Sequence, residues 1–88
     1  MTRSVEVFGT LRSFIFDGEC RLQLADSALP EEVREALVAF ARAREHVTSG
    51  LRAILDRSVI AADDRILRED EPIGNGAILA ILPPVCGG

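Results

Sequence analysis

Residues 77–82 read Ala-Ile-Leu-Ala-Ile-Leu, a run of apolar side chains with no polar one among them. A strand that is apolar on both faces is typical of the middle of a sheet, where both faces are covered. One helix can cover only one of these faces. We expect a second protein to cover the other, because an apolar patch left in water marks an interface. We assign Phe8, Leu79 and Ile81 to this partner-binding face.

The residues after this strand, 83–88, read Pro-Pro-Val-Cys-Gly-Gly. Proline fixes φ and favours the extended polyproline conformation, so this tail can project roughly 18–20 Å beyond residues 1–82, which form one domain. Gly87 and Gly88 have no Cβ, so a narrow channel can close around them. At neutral pH the carboxylate of Gly88 is an anion that can attack an activated phosphate. We therefore expect Gly88 to be the reactive residue, delivered through a channel in a partner protein by Pro83, Pro84, Val85, Cys86 and Gly87.

Two segments near the beginning of the chain alternate between apolar and polar residues. In a strand over 4–8, Val5 and Val7 face the core and Phe8 faces the other side. The same alternation predicts a second strand over 19–25.

The segment between these two strands allows two interpretations. The Asp-Gly pair at 17–18 lies between apolar runs, which predicts a two-residue hairpin turn. Leu11, Phe14 and Ile15 also have helical spacing, which predicts a short helix near 10–15. In both interpretations the flanking strands pair antiparallel.

Pro30 is predicted to begin the main helix, because the first helical position has no use for a backbone N–H. Glu31 and Glu32 favour the positive end of the helix dipole. The apolar stripe of this helix consists of Val33, Ala36, Leu37, Phe40 and Ala41.

The remaining segments are short. Residues 51–55 and 58–62 are predicted to be strands, and residues 72–76 a turn. The charged run 63–71 is predicted to be a solvated loop, with a docking patch for a basic partner as the alternative.

The end of the chain resembles a known family. Residues 82–88, Leu-Pro-Pro-Val-Cys-Gly-Gly, look like the carboxyl terminus of the ubiquitin-like sulfur carriers, which include the small subunit of molybdopterin synthase and a carrier of the thiamine pathway. The resemblance implies an α+β fold of the β-grasp type, a mixed sheet packed on one main helix, with the first and last strands parallel and adjacent. It also implies the helix near 10–15, which we favour. The sequence departs from the family at Cys86, usually a small hydroxyl residue, and at 74–76, usually an acidic turn.

The composition excludes several classes of protein. The chain has 88 residues, enough for one modest core, and its apolar content of 48% excludes wholesale disorder. A net charge of −4 argues against nucleic acid or an anionic membrane as the main partner. Neither a signal peptide nor an apolar run long enough for a membrane span is present, so we expect a cytoplasmic protein.

Lysine is absent from the sequence, and all ten basic residues are arginine. Either arginine-rich codon usage explains this, which we favour, or a carrier of an activated carboxyl group benefits from lacking amines. The two cysteines, Cys20 and Cys86, are too few for a disulfide scaffold or a zinc site. Cys86 is interpreted as an inert replacement for a hydroxyl residue. The alternative is a reactive thiol that forms a disulfide with an activating enzyme or captures the acyl group.

The resemblance implies a function for the tail. An adenylyltransferase related to ubiquitin-activating enzymes would use ATP to activate Gly88, and a sulfur donor system would convert the acyl-adenylate into a thiocarboxylate. The tail would then enter the large subunit of molybdopterin synthase and give its sulfur to the pterin precursor, within a complex of two large and two small subunits. The carrier itself would bind no cofactor and supply no catalytic acid or base.

Three alternatives stay open. The same type of carrier serves thiamine synthesis, tRNA thiolation, and the synthesis of cysteine or other sulfur metabolites. A protein modifier would be attached through Gly88 to lysines of its targets. A plain interaction module would dock its tail without any chemistry. Pro-Pro-Val before Cys-Gly-Gly favours the molybdopterin branch.

Overall fold

A five-stranded mixed sheet and two helices form the part of the chain that the computed structural model describes, residues 2–9, 11, 18–44, 49–75 and 78–84. The order of the strands in the sheet is β2-β1-β5-β3-β4. The elements are, in chain order, β1 (Thr2–Val7), β2 (Glu19–Gln23), α1 (Pro30–Ala43), α2 (Ser49–Arg57), β3 (Val59–Ala62), β4 (Arg65–Ile66) and β5 (Leu79–Leu82).

Strand β5 lies in the middle of the sheet, as its apolar sequence predicts. It runs parallel to β1, with Val7 opposite Ile81, and antiparallel to β3, with Ile60 opposite Ile81. Strands β1 and β2 pair antiparallel, with Val5 opposite Cys20. The predicted β-grasp architecture, including the parallel first and last strands, is confirmed.

Helix α1 begins at Pro30, as predicted. Glu32 fixes its first turn, because the backbone N–H of Leu29 donates a hydrogen bond of 3.1 Å to Glu32 Oε1. Val33 and Leu37 are fully buried in the core against the sheet. The apolar stripe read from the sequence therefore faces the sheet.

A second helix replaces one of the predicted strands. Residues 51–55 were expected to form a strand, but they lie inside α2. Leu51 and Leu55 are one helical turn apart and are both fully buried, and Ile54 packs against the same core. The spacing i, i+3, i+4 is the helical period, which a short apolar run does not separate from a buried strand. The neighbouring prediction of a strand over 58–62 is confirmed by β3.

Some of the other predicted segments can be compared with the structure, and one lies mostly outside the described residues. The strand predicted over 19–25 is β2, which ends two residues earlier, at Gln23; Leu22 within it and Leu24 beyond it are both buried. Residues 10 and 12–17 lie outside the described residues, so the choice between a helix and a hairpin turn there is not decided. The charged run 63–71 is mostly exposed, but it contains β4 and the buried Leu67.

Candidate functional site

The sheet has one covered and one open face, and the pleat of β5 decides which residues belong to each. Leu79 and Ile81 are fully buried in the core that the helices cover. Ile78 precedes β5 and is 62% exposed. The covered face of the sheet is therefore the one to which Leu79 and Ile81 belong.

The assignment of Leu79 and Ile81 to the partner-binding face is therefore wrong. Neighbouring strands place directly paired residues on the same face, and Ile81 pairs with the buried Val7. The same alternation places Phe8, which follows Val7 and is 42% exposed, on the open face. Phe8 is thus exposed as expected, and its role in binding stays a prediction.

A groove of about 370 Å³ runs over the open face of the sheet. Most of the side chains that line it are apolar, and the turn between β3 and β4 contributes Asp63 and Asp64. The lining residues are Phe8, Ala61, Ile66, Ile78, Ala80, Leu82, Glu6, Asp63, Asp64 and Arg65. We call this surface the open-face groove.

The charge of the open-face groove is negative. Among the described residues that line it, Glu6, Asp63 and Asp64 contribute carboxylates and Arg65 is the one basic residue. The guanidinium of Arg65 forms an ion pair with Glu71. The hydrogen bond from the Arg65 side chain, together with one from the backbone N–H of Arg68, lowers the pKa of Glu71 to about 2. The positive charge of Arg65 is thus already neutralised, so the groove presents an apolar surface with an acidic rim.

Asp63 fixes one wall of the groove. Its φ of 58° is in the left-handed region, which Asp tolerates better than most residues. Its backbone N–H donates to the carbonyl oxygen of Ile78 at 2.7 Å, and the backbone N–H of Ile78 donates to Asp63 Oδ1 at 3.0 Å. In the sequence, Asp63 is one charge in a run that is predicted to be a solvated loop. An Asp-Asp pair between two short β segments is the turn signal that could have revealed it.

The tail leaves the sheet at the end of β5. Pro83 and Pro84 follow Leu82 directly and are half-buried. Gly9 has a φ of +63°, and a Cβ at this position would lie 2.7 Å from Cγ of Pro83. Gly88, predicted to be the reactive residue, and Val85, Cys86 and Gly87, predicted to lie in a partner's channel, are outside the described residues. The base of the tail therefore packs on the end of β1.

The described residues offer little chemistry of their own. Burial raises the pKa of the Cys20 thiol to about 11, so at neutral pH this thiol is protonated and unreactive. Among the residues that the structure describes, no three His, Cys, Asp or Glu side chains are grouped so that they could hold a metal ion. Within the same residues, neither helix has the length and apolar content that a membrane crossing requires.

Solved structures share this fold along their whole length. The crystal structure of SAMP1 from Haloferax volcanii is 19% identical, with a TM-score of 0.66 and full coverage of both chains. A second crystal structure, of small archaeal modifier protein 1 from the same organism, is 18% identical, with a TM-score of 0.65 and coverage of 96% of this chain and 98% of that one. At these identities the likeness shows the fold alone.

A third structure is somewhat more similar in sequence. It is a protein–protein complex of subunits 1 and 2 of the molybdopterin-converting factor from Helicobacter pylori. The matched chain is 25% identical, with a TM-score of 0.56 and full coverage of both chains. In that protein, therefore, a chain with this fold was determined together with a second subunit.

Sequence comparisons give the family. No curated protein matches this chain. The model of the ThiS family matches residues 5–88, which include the sheet, both helices and the complete tail. This chain belongs to the ThiS family, the ubiquitin-like sulfur carriers that its tail resembles.

Proposed function

We propose that this protein is a sulfur carrier that works as the small subunit of molybdopterin synthase. Its reactive group is the carboxylate of Gly88. The observation that carries the proposal is the family match over residues 5–88, which does not stop at the domain but includes the tail. The fold supports it, because β5 leads directly into Pro83 and Pro84.

The proposed chemistry occurs in two steps at Gly88. A carboxylate oxygen attacks the α-phosphorus of ATP, pyrophosphate leaves, and an acyl-adenylate forms on an adenylyltransferase related to ubiquitin-activating enzymes. A sulfide-level sulfur nucleophile from the donor system then attacks the acyl carbon, AMP leaves, and the product is a thiocarboxylate. No electron is gained or lost when the sulfur arrives as sulfide. ATP is used by the partner, so the carrier needs no nucleotide site of its own.

The open-face groove is the docking surface in this proposal. Ile78 is 62% exposed, Ile66 is 58% exposed and Phe8 is 42% exposed. Large apolar side chains clustered on one surface are typical of an interface. We expect the large subunit of molybdopterin synthase and the adenylyltransferase to cover this groove in turn, because both must receive the same tail. The Helicobacter complex of two subunits supports a stable pair, and we propose two large and two small subunits.

The molybdopterin pathway is tested by product formation. The thiocarboxylated protein is mixed with the large subunit and the pterin precursor, and the dithiolene product and the mass of the carrier are followed together. We expect one sulfur to leave the carrier for each sulfur that appears in the product. The carrier with Gly88 deleted is the control and should give no product.

Other results would indicate a different function for this member of the family. A thiocarboxylate that is stable with these components, but is consumed by enzymes of thiamine synthesis or tRNA thiolation, would overturn the molybdopterin assignment and keep the carrier. An isopeptide bond between Gly88 and lysines of other proteins would identify a protein modifier instead.

A further inference from the structure

Gly9 and Pro83 meet where β1 and β5 end. The parallel register places Val7 opposite Ile81, and two residues further along each strand the chain reaches Gly9 and Pro83. A Cβ on Gly9 would lie 2.7 Å from Cγ and 3.5 Å from Cδ of Pro83. The first of these distances is shorter than carbon atoms tolerate, so a side chain at position 9 has to displace the proline ring.

Glycine is required here for a second, independent reason. The φ of Gly9 is +63°, in the left-handed region that L-residues with a Cβ rarely adopt. Backbone conformation and close approach thus both select glycine at this position. Phe8, which precedes Gly9, lines the open-face groove, so one short segment serves both the groove and the base of the tail.

Pro83 is the first residue of the tail and sets its direction. It has no backbone N–H, so it cannot extend the ladder of β5 as a donor, and its ring fixes φ. Its ring rests on Gly9, and Pro84 continues a stiff, extended spacer. A displacement at this pivot therefore changes the direction in which Pro83 and Pro84 leave β5.

We propose that Gly9 is a positioning residue that sets the direction in which the tail leaves the sheet, so that Gly88 is aligned for adenylation while the groove is occupied by the partner. This inference rests on the proposed function of Gly88. A misplacement of about 1 Å in a reacting group can cost about 100-fold in rate. We expect Gly9→Ala to lower kcat/KM for acyl-adenylate formation by about 10- to 100-fold, with the larger part of the loss in kcat.

Gly74 provides a matched control. Its φ is +77°, so Gly74→Ala introduces the same kind of backbone strain, but no atom lies within 4 Å of the Cβ that it would add. Gly74→Ala should therefore lower the melting temperature through backbone strain alone, and Gly9→Ala should lower it by at least as much. Of these two variants, we expect only Gly9→Ala to lower kcat/KM for acyl-adenylate formation.

Pro83→Ala tests the same contact from the other side. It removes Cγ and Cδ of the ring and adds nothing at position 9. If both residues act through one contact, the double variant Gly9→Ala/Pro83→Ala loses no more activity than the worse single variant. Should Gly9→Ala not fold, Pro83→Ala decides the question alone, because position 83 lies after the last strand. A loss of adenylation at an unchanged melting temperature supports the proposal, and an unchanged rate overturns it.

The experiment combines two measurements on the full-length chain. Pyrophosphate release with the adenylyltransferase and ATP gives kcat and KM for the carrier. Nuclear Overhauser effects between Hα of residue 9 and the ring protons of Pro83 report the contact itself. We expect these effects in the wild type and in Gly74→Ala, and we expect them to be lost in Gly9→Ala.

The two possible failures are distinguishable. A wild-type chain that releases no pyrophosphate contradicts the proposed function, whatever the variants do. A wild-type chain that is adenylated normally while Gly9→Ala and Gly74→Ala are adenylated equally well overturns the positioning role of Gly9. Absence of the Gly9–Pro83 effects in the wild type overturns it as well.

Discussion

Asp63 and Ile78 hold each other through two reciprocal hydrogen bonds, one from each backbone N–H. One of them ends on the carboxylate of Asp63, and Asp63 itself has a left-handed backbone with φ 58°. The pair joins the turn after β3 to Ile78, the residue directly before β5. It thereby holds the backbone of Ile78, whose exposed side chain lines the open-face groove.

The first prediction concerns this pair. Asp63→Ala removes the carboxylate acceptor and places a residue with poor tolerance for positive φ in the turn. We expect the free energy of unfolding to fall by about 1–3 kcal/mol. Asp63→Asn keeps an acceptor oxygen and the tolerance for positive φ, so it should retain most of the stability. Urea unfolding measures both, with Asp64→Ala as the control on the same turn, expected within about 0.5 kcal/mol of the wild type. Equal losses for Asp63→Ala and Asp64→Ala would contradict the role of the pair.

A second prediction separates the two faces around β5. Ile81 is fully buried, so Ile81→Ala should cost about 2–5 kcal/mol of stability. Ile78 is 62% exposed, so Ile78→Ala should change stability by less than about 1 kcal/mol. Ile78→Ala should instead raise the Kd for the large subunit about tenfold, as expected for a residue that carries binding energy. Thermal unfolding and calorimetric titration measure the two quantities. An unchanged Kd for Ile78→Ala would show that the groove is not the docking surface.

A third prediction concerns the acidic rim. Charges at the edge of an interface act mainly on the association rate. Asp64→Asn should lower the association rate with the adenylyltransferase about two- to tenfold at low salt and leave the dissociation rate nearly unchanged. The difference should shrink as the salt concentration rises, because exposed charges are screened.

The control for this experiment is Glu31→Gln. It makes the same change of net charge, but Glu31 lies on α1, on the side of the sheet away from the groove. Surface plasmon resonance at several salt concentrations gives the rates. If both variants slow association equally, net charge rather than the rim steers the partner.

The ion pair between Arg65 and Glu71 makes stability depend on pH. The pKa of Glu71 in the folded protein is about 2, lowered from 4.5, chiefly by the hydrogen bond from Arg65. A carboxyl with a depressed pKa stabilises the fold above its unfolded pKa, and this contribution is lost as the pH falls through the folded value. We therefore expect the wild type to lose stability relative to Glu71→Gln between about pH 4.5 and about pH 2. Urea midpoints across this range test it, with Asp70→Asn as the charge control. Parallel curves for the wild type and Glu71→Gln would contradict the assignment.

The sequence predicts the sheet well because β5 is unusual. A strand with six apolar residues in a row is stable in the middle of the sheet of a small α+β domain, where both faces are covered. In this position β5 has a strand on each side, β1 and β3. Pro30 with Glu31 and Glu32 predicts the beginning of α1 for reasons that are local to the first turn. These predictions needed no long-range information.

The errors came from patterns that are ambiguous without contacts. The apolar residues 51–55 fit a short strand as well as a helical turn, and burial of Leu51 and Leu55 against the sheet decided for the helix. The side of the sheet on which Ile81 lies follows from its pairing with Val7, and the sequence of one strand does not reveal how it pairs with the next. Gly9 was not recognised as a packing partner of Pro83, because they are far apart in the sequence and meet only when β1 and β5 pair.

The proposed function requires that Gly88 carries sulfur, and intact mass spectrometry detects this sulfur on the protein itself. The protein is purified without a tag at its carboxyl terminus, both from cells that contain sulfur-transfer enzymes and after incubation with the adenylyltransferase, ATP and sulfide. We expect a fraction that is heavier by one exchange of sulfur for oxygen and that is absent when Gly88 is deleted. A terminus that stays a plain carboxylate under all of these conditions would contradict the proposed function.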